Sequence, residues 1–264
     1  MKALLYTLLL STLITSCQKV IDVNLNNANQ KIVIEANYTV EDSTARLHLS
    51  QTTSYFEPTT PSTLNGATVF IIDGNGVASP LVNVGNGDYV LTNYVPNFNS
   101  TYRMTVAYNG ITYSASSLLA DTLSLKPITY QYSPGILGFG QGYYIELNYD
   151  DPAGIANYYC AVLTRNGVEQ NKVTDFILGN DQFSDGNSIS RPLFLDSLYN
   201  IGDTAGLELR TIDAQTYDYY SEIQSIAGQG QSSAAPSNPL SVWDNGALGY
   251  FAAYGNSRKT TVIL

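Results

Sequence analysis

Few side chains in this sequence could do covalent or acid–base chemistry. There is one histidine, His48, and there are two cysteines, Cys17 and Cys160. A hydrolase triad through His48 would want its nucleophile on a Gly-x-Ser-x-Gly elbow, and no such pentapeptide occurs. His48 stands between Leu47 and Leu49, so on a strand the leucines face the core while Arg46, His48 and Ser50 face outward. That is a solvated histidine without visible partners. Cys160 lies in Tyr158-Tyr159-Cys160-Ala161-Val162, which reads as a core strand. A nucleophilic thiol needs a base, and the histidine is far away in sequence, so Cys160 is expected to be a buried hydrophobe. Glycoside hydrolysis needs two carboxylates about 5 to 9.5 Å apart across a cleft. The adjacent Asp150 and Asp151 diverge on a strand, and Pro152 after them makes a turn their simpler role.

The segment Asp181-Gln182-Phe183-Ser184-Asp185-Gly186-Asn187 alternates oxygen-bearing side chains as calcium loops do. It lacks the full EF-hand spacing and the terminal Glu, and Asp185-Gly186 reads as a turn, so no metal ligand and no cofactor is assigned. Gly138-Phe139-Gly140-Gln141-Gly142 superficially suggests a phosphate cradle, but it precedes a strand instead of joining a strand to a helix. The tyrosines carry the strongest binding signal, because Tyr offers a rigid face and a hydroxyl at low entropic cost. Tyr130, Tyr132, Phe139, Tyr143 and Tyr144 form the densest group and are the expected ligand or partner surface.

The elements that must position these residues are strands. Charged residues make up 13% of the 264, about half the roughly 25% usual in globular domains. Tyr and Gly, at 21 each, take much of their place, and this mixture favours strands and tight turns over charged helices. A net charge of −10 repels a phosphate backbone, which excludes nucleic acid as a partner. So few His and Cys exclude a zinc ribbon and a disulfide scaffold. At the N-terminus, Lys2 precedes an apolar run from Ala3 to Leu13, too short to span a membrane as a mature helix. Ile14-Thr15-Ser16-Cys17 has the form of a bacterial lipobox. Residues 1–16 therefore read as a lipoprotein signal peptide, with Cys17 as the palmitate-bearing lipid attachment that ties the protein to a membrane. An Asn-rich tether covers 17–30.

From Lys31 onward the pattern alternates. Lys31 to Thr39 and Ala45 to Thr53 predict half-buried strands, and Thr68 to Asp73 and Asp88 to Asn93 predict two more. Tyr102, Met104, Val106 and Tyr108 alternate into Asn109-Gly110, and Ile111 and Tyr113 alternate out, which predicts a type I′ hairpin. About seven short strands at this spacing predict a β-sandwich domain over 31–118. A composition shift near Ser116 to Lys126 marks a second β-rich domain, 119–264, with strands at Tyr143 to Tyr149 and Tyr158 to Thr164. Within it, Tyr220, Ile223 and Ala227, with Tyr217 at the edge, follow helical spacing over 213–227, with Asp213 as N-cap and Gly228 as stop. Gly246 to Tyr254 and Lys259 to Leu264 read as final strands.

Taken in order, Cys17-Gln18-Lys19-Val20-Ile21-Asp22, Ile32 to Ala36, Gly66 to Asp73, Tyr217-Asp218-Tyr219-Tyr220, Asn238-Pro239 and Gly246-Ala247-Leu248-Gly249-Tyr250-Phe251 resemble a known family. It is the Bacteroidota lipoprotein family catalogued as domain of unknown function 4249. Met104 departs from the aliphatic residue expected there, at no cost to packing. The resemblance implies an N-terminal sandwich similar to immunoglobulin or carboxypeptidase-regulatory modules, and no catalytic residues. It also implies a lipid-anchored, surface-exposed protein of the outer membrane, working beside a TonB-dependent transporter. The expected function is a non-enzymatic accessory binding component of nutrient uptake. A structural or adhesive cell-surface protein is the alternative, and a carboxylate-based surface hydrolase is a second.

Overall fold

The computed structural model describes residues 30–53, 60–135, 140–193, 198–228 and 238–264. The signal peptide, Cys17, nearly all of the tether and Phe139 lie outside the described residues. The N-terminal half supplies β1 (Ile32–Thr39), β2 (Thr44–Gln51), β3 (Ser62–Thr63), β4 (Thr68–Ile72), β5 (Ala78–Gly85), β6 (Asp88–Leu91), β7 (Ser100–Tyr108) and β8 (Ile111–Leu119). The C-terminal half adds β9 (Thr129–Pro134), β10 (Gln141–Asp150), β11 (Tyr158–Arg165), β12 (Val168–Glu169), β13 (Ile177–Asn180) and β14 (Ser188–Leu193). It ends with β15 (Thr204–Ile212), the helix α1 (Ala214–Gly228) and β16 (Leu248–Val262). The described residues are mainly β with one α-helix, as composition and periodicity predict.

Local chemistry sets the tight turns. Asn109 and Gly110 between β7 and β8 both have positive φ, at 49° and 78°, the backbone of a type I′ turn. Asn166 and Gly167 repeat the device between β11 and β12, at 50° and 81°. Asp213 caps α1: its Oδ1 accepts the Thr216 N–H at 2.8 Å. Its other oxygen accepts the Ser117 hydroxyl at 2.8 Å and the Leu118 N–H at 2.9 Å, so the same carboxylate fastens the helix to β8.

The strands form one thirteen-stranded sheet, in the path β12-β11-β15-β16-β1-β2-β6-β5-β4-β7-β8 with β13 beside β11 and β3 beside β2. A separate sheet has the order β14-β10-β9. The sequence segments 31–118 and 119–264 meet at β16. Its first part pairs parallel with β1, from Val33–Leu248 to Thr39–Tyr254, and its second part pairs antiparallel with β15. Where two closing strands were expected, at 246–254 and 259–264, there is this single long one.

Three cores follow from the pleat. In β1, Ile34, Ala36 and Tyr38 point into the first, where they meet Leu47 and Leu49 of β2 and Tyr102, Met104 and Val106 of β7. The strip curls over this core, and the Ala253 N–H of β16 reaches Ser117 Oγ of β8 at 2.9 Å. β11 is buried on both faces, which is why it reads as a continuous apolar run. Its Tyr159, Ala161 and Leu163 face a second core under the small sheet, while Cys160 and Val162 face a third under α1. The helix presents Thr216, Tyr219 and Tyr220 as its buried residues, and Ala227 is exposed. The expected stripe holds at Tyr217, Tyr220 and Ile223, which pack on the third core, and fails at Ala227, while Tyr219 joins the buried face with its ring centroid 5.3 Å from that of Tyr250 of β16.

Two measurements test this packing. Gly249 has φ +111°, and a Cβ there would lie 2.1 Å from the Ile34 carbonyl oxygen. Gly249→Ala should therefore lower the unfolding free energy by about 2–4 kcal/mol, read by chemical denaturation, and an unchanged midpoint would contradict the β1–β16 seam. Burial pushes the Cys160 thiol up to about 12. At pH 8 only about one molecule in ten thousand carries the thiolate, so a thiol reagent should label Cys160 after unfolding and not in the native protein.

Candidate functional site

The seam between the two halves also builds a concave face. On the side of β1 away from the first core, cross-strand register places four residues in a row: Tyr250 of β16, Glu35 of β1, His48 of β2 and Asp88 of β6. A second row two residues along runs Ala252, Asn37, Arg46 and Val90. Alternation makes this arrangement obligatory, because residues two apart on neighbouring strands share a face. Apart from Ala252, which is buried in the third core, these residues line a groove of about 520 Å³ together with Val84 of β5.

Its chemistry is mixed and polar. His48 Nδ1 lies 2.7 Å from Asp88 Oδ1, with the two side chains 37% and 50% exposed. The histidine therefore has a partner, contrary to the sequence expectation, because β6 pairs with β2 in a register that puts Asp88 opposite it. Ser50, expected to face outward with His48, is buried. Arg46 forms an ion pair with Asp42, whose carboxyl the hydrogen bond from Arg46 holds below its ordinary range. Asn37 Oδ1 is buried and has no hydrogen-bond partner among the described residues. No Ser, Thr or Cys is among its described lining residues. The arrangement offers carboxylates, an amide, an imidazole and an aromatic ring, which are groups for binding a polar molecule.

The tyrosines expected to form a contact surface sit on the small sheet. Tyr130 of β9 and Tyr143 of β10 pack edge to face at 5.8 Å, and Tyr132 meets Tyr143 at 5.4 Å. Tyr132 is 55% exposed, while Tyr130 and Tyr143 are half-buried against the second core. The Tyr144 hydroxyl donates to Gln131 at 3.0 Å, within a polar ladder that includes Glu146 and Thr129. These side chains do come together, but much of their surface is spent on one another. Elsewhere among the described residues ten tyrosines are buried, among them Tyr38 and Tyr102, whose rings stand 5.0 Å apart in the first core. The high tyrosine content is thus largely a core property.

Asp150 and Asp151 diverge, as adjacent strand residues must. Asp150 is exposed and pairs with Lys126 Nζ at 2.5 Å, while Asp151 is buried and accepts the Tyr159 hydroxyl. The segment 181–187 lies in the β13–β14 connection, and its Asp181 and Asp185 are brought against Asp151. Sequence reasoning missed the groove because its members come from five strands spread over more than 200 residues, and the alternation that sets their face says nothing about which strands are neighbours.

Among the described residues, no helix is long and apolar enough to cross a membrane. Comparison with curated proteins finds no match. The model of the family described as "Domain of unknown function (DUF4249)" matches residues 18–260, nearly the whole sequence, and this protein therefore belongs to the DUF4249 family.

Proposed function

We propose that this chain is a lipid-anchored, non-enzymatic binding protein of the outer membrane, an accessory to a TonB-dependent nutrient transporter. The lipobox-like Ile14-Thr15-Ser16-Cys17 after an apolar run supports the anchor. The observation that carries the binding role is the groove over β16, β1, β2 and β6. It is concave, built on strands instead of mobile loops, and lined by polar groups whose spacing the ladder holds. Glu35 and Asp88 suit a polar ligand rich in hydrogen-bond donors, and Tyr250 supplies a ring at one end.

The anchor and the partner are tested together. A Cys17→Ala chain should lose metabolic palmitate labelling and detergent-phase partitioning, and unchanged labelling would sink the lipobox assignment. A tagged wild-type chain drawn from outer membranes in mild detergent should bring a β-barrel transporter with it. Binding to matrix proteins or neighbouring cells with no barrel would mean adhesion instead. For the groove, glycan and peptide pools should show retention without turnover. Glu35→Gln with Asn37→Leu should weaken retention by about tenfold or more, since the first removes the charge that strengthens a ligand hydrogen bond and the second removes the amide. Turnover abolished by Glu35→Ala or Asp88→Ala would make the protein a hydrolase.

A further inference from the structure

Two connections well separated in sequence bring three carboxylates together. Asp151 follows β10, Asp181 and Asp185 lie between β13 and β14, and one oxygen from each falls within 4.8 Å of the others. Asp151 and Asp181 are only 6% and 7% exposed, while Asp185 opens to solvent. Among the described residues no Lys or Arg forms an ion pair with any of the three. Like charges this close repel one another, and a cation between them would relieve that repulsion.

A second observation points into the same place. Asn157 is 8% exposed and its Oδ1 is buried without a hydrogen-bond partner. Asn157 continues the β11–β13 ladder by one step, its carbonyl accepting the Asp181 N–H at 3.2 Å and its N–H donating to Asp181 Oδ2 at 2.8 Å. Strand alternation turns Asn157 to the same face as Asp181 opposite it and as Tyr159, whose hydroxyl reaches Asp151. The unsatisfied oxygen is thus directed to the side of the sheet that carries the carboxylates.

The carboxylates are also held in place. Asp151 takes the Tyr159 hydroxyl on Oδ1 and the Gly186 N–H on Oδ2 at 3.0 Å, and Asp185 Oδ1 takes the Gly154 N–H at 2.7 Å. Each such oxygen keeps a second lone pair, and Asp181 Oδ1 and Asp185 Oδ2 accept no hydrogen bond among the described residues. Donors that orient carboxylates while leaving lone pairs convergent form the supporting shell of a cation site. The two connections interlock as well, since a Cβ on Gly186 would lie 2.8 Å from the Ala153 Cβ.

We propose that Asp151, Asp181 and Asp185, with the side-chain oxygen of Asn157, bind a calcium ion that ties the β10–β11 and β13–β14 connections together. The donors are all hard oxygens, with no nitrogen or sulfur to favour zinc or copper. Oxygens around one calcium ion, at about 2.3–2.6 Å, stand up to about 5 Å apart, and the three carboxylate oxygens lie within that span. Calcium also takes the irregular oxygen shell that two buried carboxylates, one exposed carboxylate and an amide offer, where magnesium demands a near-ideal octahedron. The open side at Asp185 leaves room for the water ligands that complete a calcium shell. The site shares no residue with the groove and does not depend on the function proposed for it.

The test uses the full-length protein in mild detergent, stripped with EDTA and then titrated. Millimolar calcium chloride should raise Tm in proportion to the logarithm of its concentration, and equal magnesium chloride should raise it far less. Terbium, standing in for calcium, should emit on excitation of Tyr149 and Tyr159, whose rings lie 4.9 Å apart beside the carboxylates, and calcium should quench that emission by displacement. Asp185→Asn, at an exposed position, should keep its circular dichroism and lose at least about tenfold in calcium affinity, since even indirect partners of a metal contribute that much. A wild-type Tm indifferent to calcium, or terbium emission equally strong and equally displaced in Asp185→Asn, overturns the proposal. If the variant fails to fold, the wild-type titration alone decides.

Discussion

The parallel pairing of β1 with β16 joins residues more than 200 positions apart, and most of the architecture depends on it. Parallel strands cannot be closed by a short turn, so this seam forms only after both halves of the chain have been brought together. Close approach makes it work. Gly249 lies where any side chain would strike the Ile34 carbonyl, and the Trp243 indole N–H donates to that same oxygen at 2.9 Å. From the seam outward, the pleat divides β16: Phe251 and Ala253 enter the first core, while Ala252 and Tyr254 enter the third. One strand thus serves two cores with alternate residues. The groove is a by-product of the same contact, because Tyr250 meets Glu35 only through this register.

The scarcity of charge also acquires a structural meaning. Glu208 on β15 is 4% exposed, yet Arg210 Nε holds it at 2.9 Å, Arg258 Nη2 at 2.8 Å and Asn256 Nδ2 at 3.0 Å. A buried carboxylate is tolerable when it is paired and its lone pairs are filled. Among the described residues no such cation meets Asp151, Asp181 and Asp185, and this contrast within one fold is what makes the cluster conspicuous. Elsewhere neutral side chains do the polar work, through Ser117, Asn166, Thr211 and the hydroxyls of Tyr38 and Tyr102.

Much of the local structure was legible in advance. The β7–β8 hairpin follows from Asn109-Gly110 and the helix start from Asp213, since both signals act within four residues. The family was legible too, from the order of its short marks. β15 was not: Thr204 to Ile212 carries Glu208 and Arg210, two charges that break an apolar pattern, pair with each other and are joined at Glu208 by Arg258 and Asn256 of β16. β13 and β14 escaped notice for a similar reason, being short and interrupted by Gly179 and Pro192. The partner of His48 was invisible because Asp88 lies forty residues away, opposite it only through β2–β6 pairing.

The sequence by itself determined the class of the protein, its turns, its helix and the burial of Cys160, because these follow from backbone preference and from an alternation every strand obeys alone. The tertiary structure decided which strands became neighbours. That choice placed Tyr250, Glu35, His48 and Asp88 in one row and Asp151 beside Asp181 and Asp185. Register between distant strands depends on how whole faces pack and how closely backbones approach at points such as Gly249, and no local pattern encodes that sum.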